Sequence, residues 1–367
     1  MRGVRAALLA GGRGERLGRL TESVCKPLVP YGGSCRLVDF SVANTARSGI
    51  AELVLLSQHR QAALIDHLLE HWDDRAGFRL HYGLNEDLVR QRRAPGGRLP
   101  AGLPLRVREA ERGTADALIT NAEAVFADGA RDLLLLHADH VYTFDYAPMV
   151  EQHLRSGADA TIGVQAIERR YVRLFGMVEV GPGNEVRRLV EKPAEPTSEL
   201  IFTAFGLFRL DVLADVLGRL AARGPAGWQH DVSRDVLPYL IESGYRVEAY
   251  PVTGYWADIG TVERYHAGHL ALLAEPGLLD AGARPRTLPG PAPVTGPDAD
   301  VRDSMLYPGC RVGAGARLER CVVLPGAVIE PGVRLSDTVV LGGERVAGSR
   351  SGLAAVELPP SLPEPVG

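Results

Sequence analysis

Three groups of residues in this 367-residue chain have types and spacings suited to chemistry on phosphates. The first is Ala7–Lys26, ALLAGGRGERLGRLTESVCK. A short apolar run, Ala6–Ala10, breaks into Gly11, Gly12, Arg13 and Gly14, followed by Arg16 and Lys26. Glycines let backbone N–H groups approach a phosphate closely, and a helix N-terminus adds a favourable field. Arg13, Arg16 and Lys26 add the full positive charges that a triphosphate needs. The bland alternative is a plain turn between a strand and a helix. No third glycine follows at dinucleotide-fingerprint spacing, and no Gly-Lys-Ser/Thr makes a P-loop.

The second group is a pair of aspartates. Asp139 stands in HADH after an apolar run, and Asp258 in YWADIGT. A carboxylate at the end of a buried strand is costly unless a cation or donors meet it. Each alone caps a turn as readily as it binds metal; together, beside a Gly/Arg loop, they are expected to hold a divalent cation. The third group is the dyad Glu191-Lys192, either a solvated lysine or a grip on a sugar phosphate. Gly113-Thr114-Ala115-Asp116-Ala117 reads as a capped helix start, with Thr114 as N-cap, or as a small-residue wall for a flat base.

The elements that must position these groups alternate strand and helix through residues 1–160. Val4–Leu9, Leu53–Ser57 and Leu133–Leu136 are apolar runs, with helices expected at 60–71 and 115–125. The expected fold is therefore α/β, a Rossmann-like doubly wound, mostly parallel sheet. Ligands of such sheets lie beyond the carboxyl ends of the strands, so the glycine loop, Gln58 and Asp139 should meet at one edge. A nucleotide half over about 1–160 and a sugar-phosphate half over 161–274 make up the expected catalytic domain. The stretch 86–104 reads as a surface loop, solvated or closing as a lid over the nucleotide. Residues 275–300 are rich in Pro and Gly and read as a linker. Over 301–345 small aliphatics recur every five or six residues with glycines, the pattern of a short left-handed β-helix. The tail, 346–367, is expected to be disordered.

Bulk numbers exclude several classes. The net charge of −4 argues against a nucleic-acid partner. The abundance of Arg over Lys is read as codon usage rather than a nucleic-acid patch. Cys25, Cys35, Cys310 and Cys321 have no CxxC or metal-site spacing and are expected to be free thiols in a reducing compartment. No apolar run is long enough to span a membrane and no signal segment is evident, so a cytoplasmic location is expected.

Motifs spread over nearly the whole chain now resemble one family. LLAGGRGERL (8–17), KPLVPYGG (26–33), RLVDFSVANTARSGI (36–50), SQHR (57–60) and RGTADA (112–117) are followed by ADHVYTFDY (138–146), FGMVEV (175–180), VEKP (190–193), HDVSRDVLP (230–238) and YWADIGT (255–261). In type and order they resemble the sugar-1-phosphate nucleotidyltransferases, above all the glucose-1-phosphate adenylyltransferase (ADP-glucose pyrophosphorylase) family. The resemblance implies in-line attack of a sugar 1-phosphate on the α-phosphorus of a nucleoside triphosphate, loss of pyrophosphate, Mg2+ as cofactor and no covalent enzyme intermediate. It implies that Leu9, Gly11, Gly12, Arg13, Gly14, Gln58, Gly113 and Thr114 bind the nucleotide, with Gln58 and Gly113 facing the base. Arg16, Lys26, Asp139 and Lys192 would carry catalysis, and Asp139 and Asp258 the metal. Gly176, Glu191, Lys192, Ala204, Asp231 and Trp256 would surround the sugar phosphate.

The departures concern the sugar and the regulator. Ala204-Phe205-Gly206 stands where the family has Ser-Met-Gly, so a hydroxyl is missing from the sugar pocket. Val232 and Arg234 replace a Phe and a Lys, Ala257 replaces an Arg, and Ser23-Val24 stand where allosteric members carry basic residues. One lost hydrogen bond to a substrate hydroxyl costs about 1–3 kcal/mol, enough to change preference between similar substrates. The resemblance therefore implies a glucose-like cyclitol 1-phosphate, such as valienol 1-phosphate, used with GTP or ATP in secondary metabolism. The same-class alternative is an ADP-glucose enzyme of glycogen synthesis; the alternative of another class is a non-catalytic regulatory subunit, disfavoured because Lys26, Asp139, Lys192 and Asp258 are all kept. Exposed strand edges of the β-helix make a homo-oligomer plausible.

Overall fold

Runs of Val, Leu and Ala with no polar period form strands covered on both faces, and that is how the chain begins. The computed structural model describes residues 1, 3–72, 77–83, 111–279 and 285–352. The first elements are β1 (Val4–Leu9), α1 (Leu37–Arg47), β2 (Glu52–Leu56), α2 (Gln61–His71) and β3 (Arg79–His81). Then come α3 (Thr114–Thr120), β4 (Asp132–His137), β5 (His140–Tyr142), α4 (Ala147–Ser156) and β6 (Ala160–Ala166). The second half adds β7 (Gly176–Val180), β8 (Val186–Glu191), β9 (Leu200–Arg209), α5 (Leu210–Ala221), α6 (Leu237–Glu242), β10 (Val247–Pro251), β11 (Trp256–Asp258) and α7 (Val262–Ala274).

A nine-stranded sheet carries the α/β core, with β8-β7-β9-β4-β1-β2-β3 as its main path and β6 and β10 branching from β9. Strands β4, β1, β2 and β3 are parallel, as the alternating pattern predicts. Strand β9 runs antiparallel to β4, β6 and β7 and joins the second half to the first. Alternate side chains of β1 enter different cores, Leu8 on one face and Ala7 on the other. Each such fully buried leucine contributes roughly 1.5–3 kcal/mol.

The glycine loop differs from the expected strand–loop–helix. Glu15–Thr21 is a 3-10 segment, interrupted at Gly18 with φ 51° and ψ −127°. Only glycine tolerates that combination, so the segment bends and no long helix dipole points at the loop. Residues 86–104, read above as a loop or lid, lie outside the described residues, as does the tail from 353.

After α7 the chain docks instead of dangling. Thr287 and Leu288 donate backbone N–H bonds to the Ser34 carbonyl, and Ser34 donates to Pro285. Parallel ladders then stack in three sheets, a β-helix that advances 17 residues per coil from Arg311 to Val328 to Arg345. Its first strand, Val294–Thr295, lies within the stretch read as linker, and its last, Arg350–Ser351, within the stretch read as tail. Turn residues hide these short strands from periodicity. Tyr307, Val322 and Leu324 of the coils pack against Tyr31, Tyr265 and Leu272, so the β-helix shares a core with the α/β domain. All four cysteines are buried free thiols. Among the described residues no helix is long and apolar enough to cross a membrane.

Two positions carry much of this arrangement. Asp39 of α1 is fully buried and accepts from the Arg36 backbone, from His67 and Trp72 at 2.8 and 2.7 Å, and from Thr287. Burial alone would raise its pKa, but these donors, His67 foremost, bring it below the ordinary value. Removing it orphans four donors at once. Asp39→Ala should therefore lose about 3–5 kcal/mol in denaturant unfolding; a loss under about 1 kcal/mol would show the network to be dispensable. Gly113 caps α3 where a Cβ would lie 2.3 Å from the His230 carbonyl oxygen. Gly113→Ala should push the 229–231 segment away and lower the midpoint of thermal unfolding, while an unchanged midpoint would contradict the close approach.

Candidate active site

The loops after β1, β2 and β4 open on one edge of the sheet, as the topology requires. What brings the two aspartates together is a separate small ladder. Strands β5 and β11 pair antiparallel with Asp258 opposite His140, next in sequence to Asp139. The ligand atoms of Asp139, His140 and Asp258 lie within 4.8 Å of one another. Lys26 Nζ sits between the carboxylates, 2.6 Å from Asp139 Oδ2 and 3.9 Å from Asp258 Oδ1. Arg264 of α7 holds the far oxygen of Asp258 at 2.7 Å.

The electrostatics follow from this crowding. Burial pushes the Asp139 carboxyl up, but the adjacent Lys26 ammonium and the His140 and His137 rings reverse this and hold it well below the carboxylate range. His137 goes the other way: burial, with His140 and Lys26 adding to it, lowers its pKa to about 4, so the ring is neutral at pH 7. Carboxylate oxygens facing each other across an ion-sized gap fit a hard divalent cation. The Lys26 ammonium lies near both, as a positive charge should.

Two adjoining cavities meet here. The first, about 310 Å3, is lined by Leu9, Gly11 and Gly12 of the glycine loop, by Gln58, by Gly113 and Thr114, and by Lys26 and Asp139 at one end. The second, about 260 Å3, is lined by Arg16, Gly176, Glu191, Lys192, Ala204, Trp256 and Asp258. Thr114, His137 and Asp231 border both. Lys26 and Lys192, one in each cavity, are the only lysines in the chain. Of the sequence-selected residues, Arg13 and Gly14 line neither cavity. The Arg13 side chain is 76% exposed. Gly14 serves the loop from behind: its φ is 70°, and a Cβ there would lie 2.9 Å from Lys26 Cβ.

Asp231 is pinned as a helix cap. It accepts from Ser233 N, Ser233 Oγ and Arg234 N, and Thr114 Oγ1 donates to its other oxygen at 3.1 Å. Glu191 is paired with Lys192 at 3.5 Å. Trp256 donates to the Thr203 carbonyl and packs edge-on to Phe175. Three non-glycine residues at the site adopt left-handed backbone: Lys192 (φ 51°), Ala204 (φ 59°) and His230 (φ 62°). Such conformations cost about 1–3 kcal/mol each and cluster where function over-determines the backbone. At Ala204 the strain coincides with a register shift between Phe202 and Gly206 of β9.

Sequence reasoning passed over Glu111, His137, His140 and Arg264. Both histidines stand in HADH beside the chosen aspartate, a visible signal. Arg264 sits on α7 in a featureless helical stretch. Glu111 adjoins RGTADA and enters the first cavity.

Comparison with known proteins points to one family. A family model described as "Nucleotidyl transferase" matches residues 5–275. The chain is 45% identical over 337 residues to a valienol-1-phosphate guanylyltransferase of Streptomyces hygroscopicus subsp. limoneus, covering 86% of this chain and 89% of that one. It is 38% identical over 275 residues to a glucose-1-phosphate adenylyltransferase of Thermomicrobium roseum, covering 75% of this chain and 61% of the relative. A Bacillus licheniformis glucose-1-phosphate adenylyltransferase is 32% identical over 316 residues, 84% of this chain and 78% of its own. With its Gly/Arg loop, facing aspartates and paired cavities, the chain belongs to the nucleotidyl transferase family and is a nucleotidyltransferase.

Proposed function

We propose that this enzyme transfers a nucleotidyl group from a purine nucleoside triphosphate, GTP or ATP, to a glucose-like cyclitol 1-phosphate such as valienol 1-phosphate, releasing diphosphate. The observation that carries this reading is the second cavity. At the position of a sugar-binding serine in the resembling family stands Ala204, with Phe175, Phe202, Phe205, Trp256 and Val232 around it. That wall offers apolar contact to a ring carbon and little to a ring hydroxyl. The relative whose name carries valienol 1-phosphate, at 45% identity, supports the same choice.

In this reading the nucleotide lies in the first cavity with its phosphates toward Gly12, Arg16 and Lys26. Lys192 binds the acceptor's phosphate and turns one oxygen toward the α-phosphorus. That oxygen forms the new P–O bond, the bond to the bridging oxygen of the leaving diphosphate breaks, and the charge is taken up by Lys26 and Arg16. Glu191 and Asp231 face the ring hydroxyls. Asp139 and Asp258 would hold Mg2+, which when bound offsets phosphate charge and fixes phosphate geometry.

A panel of GTP, ATP, CTP and UTP against valienol 1-phosphate and glucose 1-phosphate, followed by diphosphate release, tests the assignment. Turnover should be highest with the cyclitol; faster turnover of glucose 1-phosphate with ATP would move the enzyme to ADP-glucose synthesis. Ala204→Ser returns a hydroxyl to the pocket and should shift the kcat/KM ratio toward glucose 1-phosphate by about tenfold, the worth of one hydrogen bond. An unchanged ratio would remove Ala204 from the specificity argument. Asp139→Asn, or chelation of divalent cations, should cut kcat by about 1,000-fold or more with the fold intact; near-normal turnover would refute the metal assignment.

A further inference from the structure

One carboxylate in the first cavity has no place in the scheme above. Glu111 lines the cavity beside Gln58 and Gly11, with Oε2 3.6 Å from where a Cβ on Gly11 would sit. Its backbone N–H donates to Gln58 Oε1 at 3.2 Å. That bond ties Gln58 to the Glu111 backbone and sets the two residues side by side in the cavity. Among the described residues no Arg, Lys or His forms an ion pair with Glu111. Burial pushes its carboxyl up to about 7, with the Gln58 bond lowering it and nearby Asp116 raising it. An acidic group kept in a cavity without a cation is costly unless a ligand brings donors to it.

The ligand's phosphates cannot be that partner, because like charges would repel. The cavity's basic end, at Lys26, takes the phosphates, which leaves the base at the Gln58–Glu111 end. Of the purines, guanine alone presents two adjacent donors on one edge, N1–H and the exocyclic N2 amino group, a spacing that one carboxylate accepts with both oxygens. Gln58, lining the same end of the cavity, has an amide N–H to offer guanine O6. Adenine offers an acceptor, N1, at the central position and would face the carboxylate lone pair to lone pair.

Resting on the proposed triphosphate placement, we infer that Glu111, held by Gln58, selects guanine as the base of the nucleotide substrate. It narrows "GTP or ATP" to GTP and makes Glu111 a specificity-determining residue. Base choice and acceptor choice then reside in separate cavities, one set by Glu111 and the other by the wall around Ala204.

Titration calorimetry with GTP, ITP and ATP, in the presence of Mg2+, tests this on the full-length chain. ITP keeps N1–H and O6 but lacks the amino group. Wild type should bind GTP about 100-fold more tightly than ATP, with ITP between them, as expected for a site whose polar groups go unpaired with the wrong ligand. Glu111→Gln should bring GTP to the level of ATP while ATP changes by no more than about threefold, and Glu111→Asp should keep the order. Equal losses for GTP and ATP in Glu111→Gln would assign the carboxylate to the ribose or to structure and overturn the inference. So would a wild type indifferent to the base, or one that prefers ATP. Should Glu111→Gln fail to fold, ITP on wild type decides, since binding equal to GTP excludes a carboxylate reading both donors. No acceptor is needed for binding, so glucose 1-phosphate emerging as the true acceptor would defeat the proposed function and leave base selection standing. A wild type that binds no triphosphate would defeat the proposed function itself and the inference with it.

Discussion

Two carboxylates that should repel are held face to face. Asp139 and Asp258 come from strands distant in sequence and are brought within an ion's reach by the β5–β11 ladder. At that spacing, and at an effective dielectric of about 20, their repulsion amounts to roughly 3–4 kcal/mol. Lys26 Nζ between them and Arg264 on the outer oxygen of Asp258 offset it. Each of those cations is placed by a different element, the turn after the glycine loop and helix α7. The sheet, the loop and the last helix of the catalytic domain thus have to be correct together for the pair to exist. The pair sits where the two cavities adjoin, which is where charge must be balanced in moving a nucleotidyl group between phosphates.

Around that fixed centre the walls differ in character. Part of the first cavity is fixed by close backbone packing, with Gly113 pressed against the His230 carbonyl and Gly14, behind the loop, against Lys26. Little can change there without moving the backbone. The second cavity is built from side chains on strands of mixed direction, with strained backbone at Lys192 and Ala204. Substitution there changes what the pocket touches while the sheet stays paired. The departures from the resembling family at Ala204, Val232 and Ala257 fall in or beside this second cavity, consistent with kept chemistry and an altered acceptor.

Much of this was legible in the sequence, because buried parallel strands have no polar period and phosphate-binding loops need glycine. The strand Val4–Leu9, Gly11, Lys26, Gln58, Asp139 and Lys192 could be chosen from residue types and motifs alone. Other features depend on long-range pairing. Nothing local tells that Asp258 lies opposite His140, or that Arg264 would turn back onto it. The glycine loop looked ready for a helix until Gly18 broke it, since tertiary packing and one unusual φ/ψ pair override helix propensity. Arg13 looked equivalent to Arg16 by charge, yet only Arg16 reaches a cavity. The start of the β-helix was hidden because two-residue strands such as Val294–Thr295 carry no periodicity of their own. Glu111 escaped notice because a lone glutamate next to a glycine motif looks like any surface acid; only its place beside Gln58 in the first cavity distinguishes it.

The central claim is that the facing aspartates hold a divalent cation together with the nucleotide, and Mn2+ binding followed by electron paramagnetic resonance addresses it directly. Wild type with nucleoside triphosphate should take up one equivalent of Mn2+ per chain more tightly than the nucleotide alone does. Asp139→Asn and Asp258→Asn should each return the ion's affinity to that of free nucleotide. Undiminished Mn2+ uptake in both variants would contradict the account and place the metal elsewhere.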